Sequence, residues 1–145
     1  MNTNKETARI LEDVKINVKI KLSALWVSVM LCYAYGDILG FMKPGALDHY
    51  MQGIGATGAP MTQVMLLGIA IFMAIPSVMV FLSLTLKPKA NRWANIILGI
   101  IYTCAVPLTL LTPGISAYYL FLTIVEVVLT ALIVWYAWKW PKQKA

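Results

Sequence analysis

Four long apolar runs constrain the fold of this chain more than any other feature. They cover residues 22–41, 61–86, 93–111 and 116–138. Each run is close to or above the roughly 20 residues that a helix needs to cross the hydrocarbon core of a bilayer. Only 12% of the residues are charged, against about 25% in a typical soluble domain. The sequence therefore predicts an all-α, polytopic integral membrane protein with four transmembrane helices, whose main partner is the lipid bilayer.

The basic residues lie almost entirely on one predicted side of the membrane. Eleven of the twelve Lys and Arg residues lie before the first run, between the second and third runs, or after the fourth, and the exception is Lys43. Because basic segments beside apolar helices stay in the cytoplasm, we expect both termini to be cytoplasmic. The net charge of +6 is distributed as a membrane protein requires, so no nucleic-acid partner is predicted.

The runs divide the chain into three parts. Residues 1–21 are a basic segment, expected to form a cytoplasmic amphipathic helix; residues 22–140 are the transmembrane domain; and residues 141–145 are a cytoplasmic tail. The second and third connections are short, so the last three helices are predicted to be antiparallel neighbours in an up-down four-helix bundle. Pro88 is expected to end the second helix.

The first connection, residues 42–60, contains two local patterns. Pro44 is expected to begin a short helix. The segment GIGATG, residues 53–58, matches the G-x-G-x-x-G dinucleotide fingerprint, but that fingerprint requires a preceding strand and a βαβ unit. A flexible or re-entrant loop is therefore the favoured interpretation.

Each predicted helix has one face of small or polar residues at the helical period of 3.6. Small residues let helices approach closely, and lipid does not favour polar groups, so we expect the four faces to meet inside the bundle. On the second helix the predicted inward face consists of Gln63, Leu67, Ala70, Ala74 and Ser77.

Two acidic residues, Asp37 and Glu126, interrupt the apolar runs. At 1.5 Å per residue they lie about 6 Å and about 15 Å from the outer ends of their helices. A charged side chain at mid-bilayer costs about 2.5–3.5 kcal/mol, so it usually faces a cavity or a partner. No Lys or Arg lies within the runs. Two interpretations stay open: the acids belong to one outward-opening pocket, or they are hydrogen-bonded structural groups.

The predicted ligand- or proton-binding residues combine these acids with side chains that donate hydrogen bonds or offer an aromatic face to an organic cation. They are Asp37, Glu126, Trp26, Tyr33, Tyr102, Tyr119, Thr123 and His49. No catalytic residue, metal site or cofactor is predicted, since the chain has one His and no CxxC or HExxH motif. Cys32 and Cys104 are interpreted as small apolar residues, with a disulfide between them left open.

In the segments KLSALWV, YAYGD and ANRWANIILGI, the chain resembles a family of small bacterial inner-membrane proteins. These proteins have four helices, no assigned function and a DoxX-like appearance. The resemblance implies the four-helix topology and adds no activity.

Three classes of function follow from these observations. The first is a binder or proton-coupled carrier of a proton, a cation or a lipophilic small molecule, and transport would then need a homodimer. The second is an accessory or assembly subunit that docks another membrane protein through its polar helix faces. The third, a membrane enzyme, has the least support, because its only candidate constellation is His49 above Asp37.

Overall fold

The computed structural model describes residues 14–56, 58–111 and 115–141. They form five α-helices: α1 (Val18–Phe41), α2 (Ala46–Met51), α3 (Gln63–Thr85), α4 (Pro88–Leu108) and α5 (Ala117–Trp138). A short 3₁₀ helix, Thr109–Leu111, extends α4. All but α2 are long and apolar enough to cross a membrane. The prediction of an all-α bundle with four membrane-spanning helices is confirmed.

The four long helices follow one another around the bundle in the order α1, α3, α4, α5. Helix α1 packs against α3 and α5, α4 packs against α5, and the contact between α3 and α4 is the smallest of these. Successive long helices run in opposite directions, as the up-down topology requires. We call the end that carries Lys19, Lys87, Arg92 and Lys139 the basic end, and the opposite end the α2 end.

Two helices begin earlier than the apolar runs predict. Helix α1 begins at Val18, and the side chain of Asn17 caps it by accepting from the backbone N–H of Lys19 at 2.9 Å. Residues 14–17 are not helical, so the predicted amphipathic helix is wrong there, and residues 1–13 of that prediction lie outside the described residues. Pro88 begins α4 instead of ending α3, because proline fits the first turn, where its missing N–H is not needed.

The first connection contains the predicted short helix, which is α2. Its N-cap is Gly45, with φ of 75°. The following glycine-rich segment forms a tight loop in which the backbone N–H of Met61 donates to the carbonyl of Gly53 at 2.7 Å, and Ile54 pairs with Pro60 in an isolated bridge. No strand precedes this loop within the described residues, so it lacks the context of a dinucleotide site.

The inward face of α3 differs from the prediction. The predicted face, Gln63, Leu67, Ala70, Ala74 and Ser77, is exposed. The buried residues of α3 are instead Pro76, Met79 and Ser83, all in its half near the basic end. Pro76 has no N–H, so it leaves the carbonyl of Phe72 without its helical donor. The hydroxyl of Tyr102 on α4 donates to that carbonyl, which fixes this face of α3 toward the interior.

Most of the fully buried side chains lie in the half of the bundle near the basic end. A buried polar network joins three helices there. The indole Nε1 of Trp26 on α1 donates to Oδ1 of Asn95 on α4 at 2.7 Å, and Nδ2 of Asn95 donates to Oδ1 of Asn91 at 2.6 Å. Nδ2 of Asn91 in turn donates to the carbonyl of Ser83 on α3. Both asparagines are 0% exposed, so this network fastens the basic half of the bundle.

Candidate functional site

Two adjoining cavities occupy the half of the bundle near the α2 end. The outer cavity has a volume of about 510 Å³ and lies among the ends of α1 and α5, α2 and the first connection. The inner cavity has a volume of about 120 Å³ and lies deeper, among α1, α3, α4 and α5. Gly36, Asp37, Thr109 and Tyr119 line both. These shared residues place the smaller inner cavity directly beside the larger outer one.

The inner cavity contains a buried carboxyl group. Glu126 lies ten residues into α5 and is 7% exposed. Its carboxyl oxygens make no hydrogen bond or salt bridge to another residue that the structure describes, and only its backbone carbonyl has a side-chain donor, Oγ1 of Thr130 at 2.9 Å. The inward face of α5, which also carries Thr123, places the carboxyl in the cavity.

The contact between α4 and α5 fixes the position of this acid. Oγ1 of Thr103 on α4 donates to Oγ1 of Thr130 on α5 at 2.8 Å, one turn from Glu126. Close approach of the helices is needed there, since a Cβ at Gly99 would lie 2.7 Å from a methyl carbon of Val134. The small residue at position 99 therefore lets α4 hold the turn of α5 that follows Glu126.

Tyr33 contributes a second buried polar group to the inner cavity. Its side chain, on α1, is 9% exposed and lines the inner cavity but not the outer one. Its hydroxyl oxygen is buried and has no hydrogen-bond partner among the described residues. Buried hydroxyl groups are paired in most proteins, so Tyr33 and Glu126 are two residues in the lining of the inner cavity whose side-chain polar groups have no partner among the described residues.

Asp37 lies where the two cavities meet. Its residue is exposed in the isolated chain, and its carboxyl makes no hydrogen bond or salt bridge within the described part of the chain. The flanking glycines, Gly36 and Gly40, are close enough to α5 that added Cβ atoms would touch Leu122 at 3.7 Å and the hydroxyl of Tyr118 at 3.8 Å. The GxxxG pattern thus brings the backbone of α1 close to α5 beside the acid.

The outer cavity is lined mainly by aromatic and polar residues. Tyr50 of α2 stacks edge to face on Phe41 at a centroid distance of 5.2 Å, and Tyr118 completes the opposite wall. His49 and Lys43 also line this cavity. No hydrogen bond or ion pair joins His49 to Asp37 in the described residues.

Six of the eight residues predicted to bind a ligand or proton line the cavities, and their role in binding stays a prediction. His49 lies in the outer cavity, Asp37 and Tyr119 line both, and the inner cavity adds Tyr33, Thr123 and Glu126.

Trp26 and Tyr102 do not belong to the lining of either cavity. Trp26 is part of the asparagine network, and Tyr102 donates to the carbonyl of Phe72. The two rings pack edge to face at 5.8 Å, behind the cavity wall that Phe72 forms. They support this wall from behind, and their predicted part in binding a ligand stays a prediction.

Sequence reasoning missed several lining residues, above all Tyr50, Tyr118, Ser116 and Thr109. Thr109 carried a usable signal, because it lies seven residues after Tyr102 and so shares its helical face. Tyr118 resembled an interfacial aromatic residue at a helix end. Tyr50 carried no signal, since only the fold of α2 over the bundle brings it to the cavity.

The structure contains no metal-binding cluster of three His, Cys, Asp or Glu side chains within the described residues. Cys32 is half-buried, Cys104 is exposed, and both are free thiols. The described structure therefore has no disulfide between them.

The comparison with known proteins gives one match. A model of a family of unknown function, DUF6326, matches residues 9–145. No match to a curated protein or to a solved structure was found.

Proposed function

The chain belongs to the family of unknown function DUF6326, and we propose that it binds a small lipophilic cation in the two joined cavities. One observation carries this proposal. Glu126 is buried and lines a cavity that adjoins the outer cavity at the α2 end, and its carboxyl has no hydrogen bond or ion pair to another described residue. Glu126 would be the anionic group that recognises the ligand.

A structural role for Glu126 would require partners that the described residues do not supply. Buried polar groups that stabilise a fold are hydrogen-bonded, and an acid in a membrane is costly unless it is paired or faces a cavity. A bound cation would supply the missing partner. Asp37 adds a second carboxyl at the entrance to the inner cavity, while Phe72 and Tyr119 offer aromatic faces, which attract organic cations.

The shape of the cavities fits a ligand with a small head and a larger body. The outer cavity falls within the roughly 300–1,000 Å³ of small-molecule sites, and the inner one is large enough for a head group only. The aromatic residues Phe41, Tyr50 and Tyr118 would surround the body of the ligand. Lys43 lies at the mouth, and both carboxyl groups lie deeper, so the inner cavity is the part that favours a positive charge.

The proposal includes an orientation. The basic end is cytoplasmic because basic residues favour that side of a bacterial inner membrane, so both termini are cytoplasmic and the cavity opens outward. The packed basic half separates the cavity from the cytoplasm, which makes binding from the outer side the simplest function; transport would need a second conformation or a homodimer. The likeness to DoxX proteins stays a prediction.

A docking role through polar helix faces has less support. Most polar residues on those faces of α1, α4 and α5 are buried inside the bundle, although Asp37 of α1 is exposed. The exposed face of α3, with Gln63 and Ser77, is the exception.

The experiment compares an amine with a neutral molecule of similar shape. We would measure binding of 3-phenylpropylamine and 3-phenylpropanol by calorimetry, with the protein in phosphatidylcholine nanodiscs and empty nanodiscs as the blank. Hydrogen bonds to charged groups contribute about 1.5–3 kcal/mol, so the amine should bind at least about tenfold more tightly than the alcohol. Glu126→Gln should bring the two affinities together.

Asp48→Asn is the matched control, because it removes one carboxyl from α2 without touching the lining of either cavity. It should keep the preference for the amine. The unfolding temperature of Glu126→Gln should not fall, since the substitution removes no hydrogen bond to a described side chain. The proposal would be refuted if Glu126→Gln kept the wild type's preference for the amine over the alcohol, or if the wild type did not bind the amine. If the wild type bound the amine and the alcohol equally, the proposal would also be wrong, and the carboxyl of Glu126 would take up only a proton.

A further inference from the structure

We infer that the head group of the ligand carries at least one N–H, and that the hydroxyl of Tyr33 selects for it. This inference rests on the proposed function and names the class of cation: a protonated primary, secondary or tertiary amine instead of a quaternary ammonium. Tyr33 would be a specificity-determining residue, while Glu126 supplies the attraction to positive charge.

The observation behind this inference is the difference between Tyr33 and the other tyrosines near the cavities. The hydroxyl of Tyr102 is satisfied by the carbonyl of Phe72. Tyr119 is half-buried and lines both cavities. Tyr33 is 9% exposed and lines the inner cavity, and its hydroxyl is buried without a partner among the described residues. A polar atom left unpaired in this way is costly unless something that enters the cavity pairs with it.

The chemistry of the two unpaired groups defines what can pair with both. A carboxylate only accepts hydrogen bonds, and a phenol oxygen can accept one as well as donate one. A protonated amine with an N–H donates to the carboxylate of Glu126 directly, and a second N–H donates to the oxygen of Tyr33. A tertiary amine has a single N–H that both oxygens can share. A quaternary ammonium has none, so its methyl groups would separate the charge from Glu126 and leave the Tyr33 hydroxyl unpaired.

Sites built to bond a polar hydrogen reject analogues that lack it far better than apolar sites reject an extra methyl group. The inner cavity has aromatic members too, Phe72 and Tyr119, and a site that depended on these rings would instead favour the methylated cation. The two readings therefore predict opposite orders of affinity for one series of ligands.

The test uses 3-phenylpropylamine and its N-methyl, N,N-dimethyl and N,N,N-trimethyl derivatives, in the same phosphatidylcholine nanodiscs. For the wild type, we expect the first three to bind within about threefold of one another and the trimethyl compound to bind about tenfold more weakly, the size of one such interaction. Tyr33→Phe should weaken binding of the three N–H amines by about tenfold and leave the trimethyl compound unchanged.

Tyr35→Phe is the matched control, because it removes a phenol hydroxyl from the same helix, α1, at an exposed residue that lines neither cavity; it should keep the discrimination. The wild-type series decides the matter even if Tyr33→Phe fails to fold. Affinity that stays level or rises at the trimethyl compound would overturn the inference, as would unchanged discrimination in folded Tyr33→Phe, which would mean that water pairs with the hydroxyl.

The two proposals fail in different ways. If all four cations bind, Glu126→Gln weakens all of them and the series shows no step, the inference about Tyr33 is wrong and the proposed function stands. If none of them binds to the wild type, the proposed function is wrong and the inference falls with it.

Discussion

The hydrogen bond from Tyr102 to α3 compensates for a proline and can be tested as such. Pro76 has no N–H, so the carbonyl of Phe72, one turn earlier, has no donor within α3. The hydroxyl of Tyr102 donates to that carbonyl from α4, and the Tyr102 side chain is 1% exposed. The contact between α3 and α4 is small, so this bond is one of the few links between them. Tyr102→Phe should therefore destabilise the bundle through this carbonyl.

The size of the effect follows from two limits. A buried carbonyl left unpaired costs about 1–3 kcal/mol, whereas hydrogen bonds between transmembrane helices average about 0.6 kcal/mol and reach about 1.7 kcal/mol. We expect Tyr102→Phe to lower the free energy of unfolding by about 1 kcal/mol. Pro76→Ala restores an N–H that can bond the Phe72 carbonyl, so in that background Tyr102→Phe should cost less than about 0.5 kcal/mol.

The assay is reversible unfolding in mixed detergent micelles by increasing fractions of dodecyl sulfate, followed by circular dichroism, for the wild type, the two single variants and the double variant. Tyr35→Phe is the control, because Tyr35 is on α1, 58% exposed, and should change nothing. Equal costs of Tyr102→Phe in the two backgrounds would refute the reasoning, since the hydroxyl would then stabilise the bundle independently of the proline.

Two further predictions concern packing and orientation. Gly99→Ala should lower the free energy of unfolding by about 1–3 kcal/mol, because the new Cβ would lie 2.7 Å from a carbon of Val134. Gly68→Ala is the control in the same assay: a Cβ there would meet nothing within 4 Å, so the free energy of unfolding should stay unchanged or rise slightly. Equal effects of the two substitutions on the free energy of unfolding would contradict the close contact of α4 with α5. In a chain without its native cysteines, an impermeant maleimide added to intact cells should label a cysteine in place of Lys43 but not one in place of Lys89, and labelling only at position 89 would reverse the proposed orientation.

The helices and most of their inward faces could be predicted from the sequence because the polar residues within the apolar runs recur at the helical period, and the positions they occupy are the buried ones. On α5, Thr123, Glu126 and Thr130 recur every three or four residues and are buried. On α4, Asn95 and Tyr102 are on the buried face as well. Polar residues of this kind gain nothing from lipid, so their spacing alone identifies the side that faces protein.

The inward face of α3 could not be predicted in this way. Its residues are nearly all apolar or small, and both lipid and protein accept such residues, so the period of small residues such as Ala70 and Ala74 does not distinguish the two. The bond between Tyr102 and Phe72 joins two residues that are 30 positions apart in the sequence. No local sequence pattern reveals such a contact. The wall formed by Tyr50 likewise depends on how α2 folds over the bundle.

The bundle divides its stability and its proposed function between its two halves. Near the basic end, Trp26, Asn91 and Asn95 are 0% exposed, and their hydrogen bonds to one another and to the carbonyl of Ser83 link α1, α3 and α4. Near the α2 end, Tyr33 and Glu126 are buried without such partners, an arrangement that costs stability and that a fold tolerates when the groups serve binding. The same type of residue, a polar side chain inside a membrane bundle, thus stabilises the fold where it is paired and, in the proposed function, recognises a ligand where it is not.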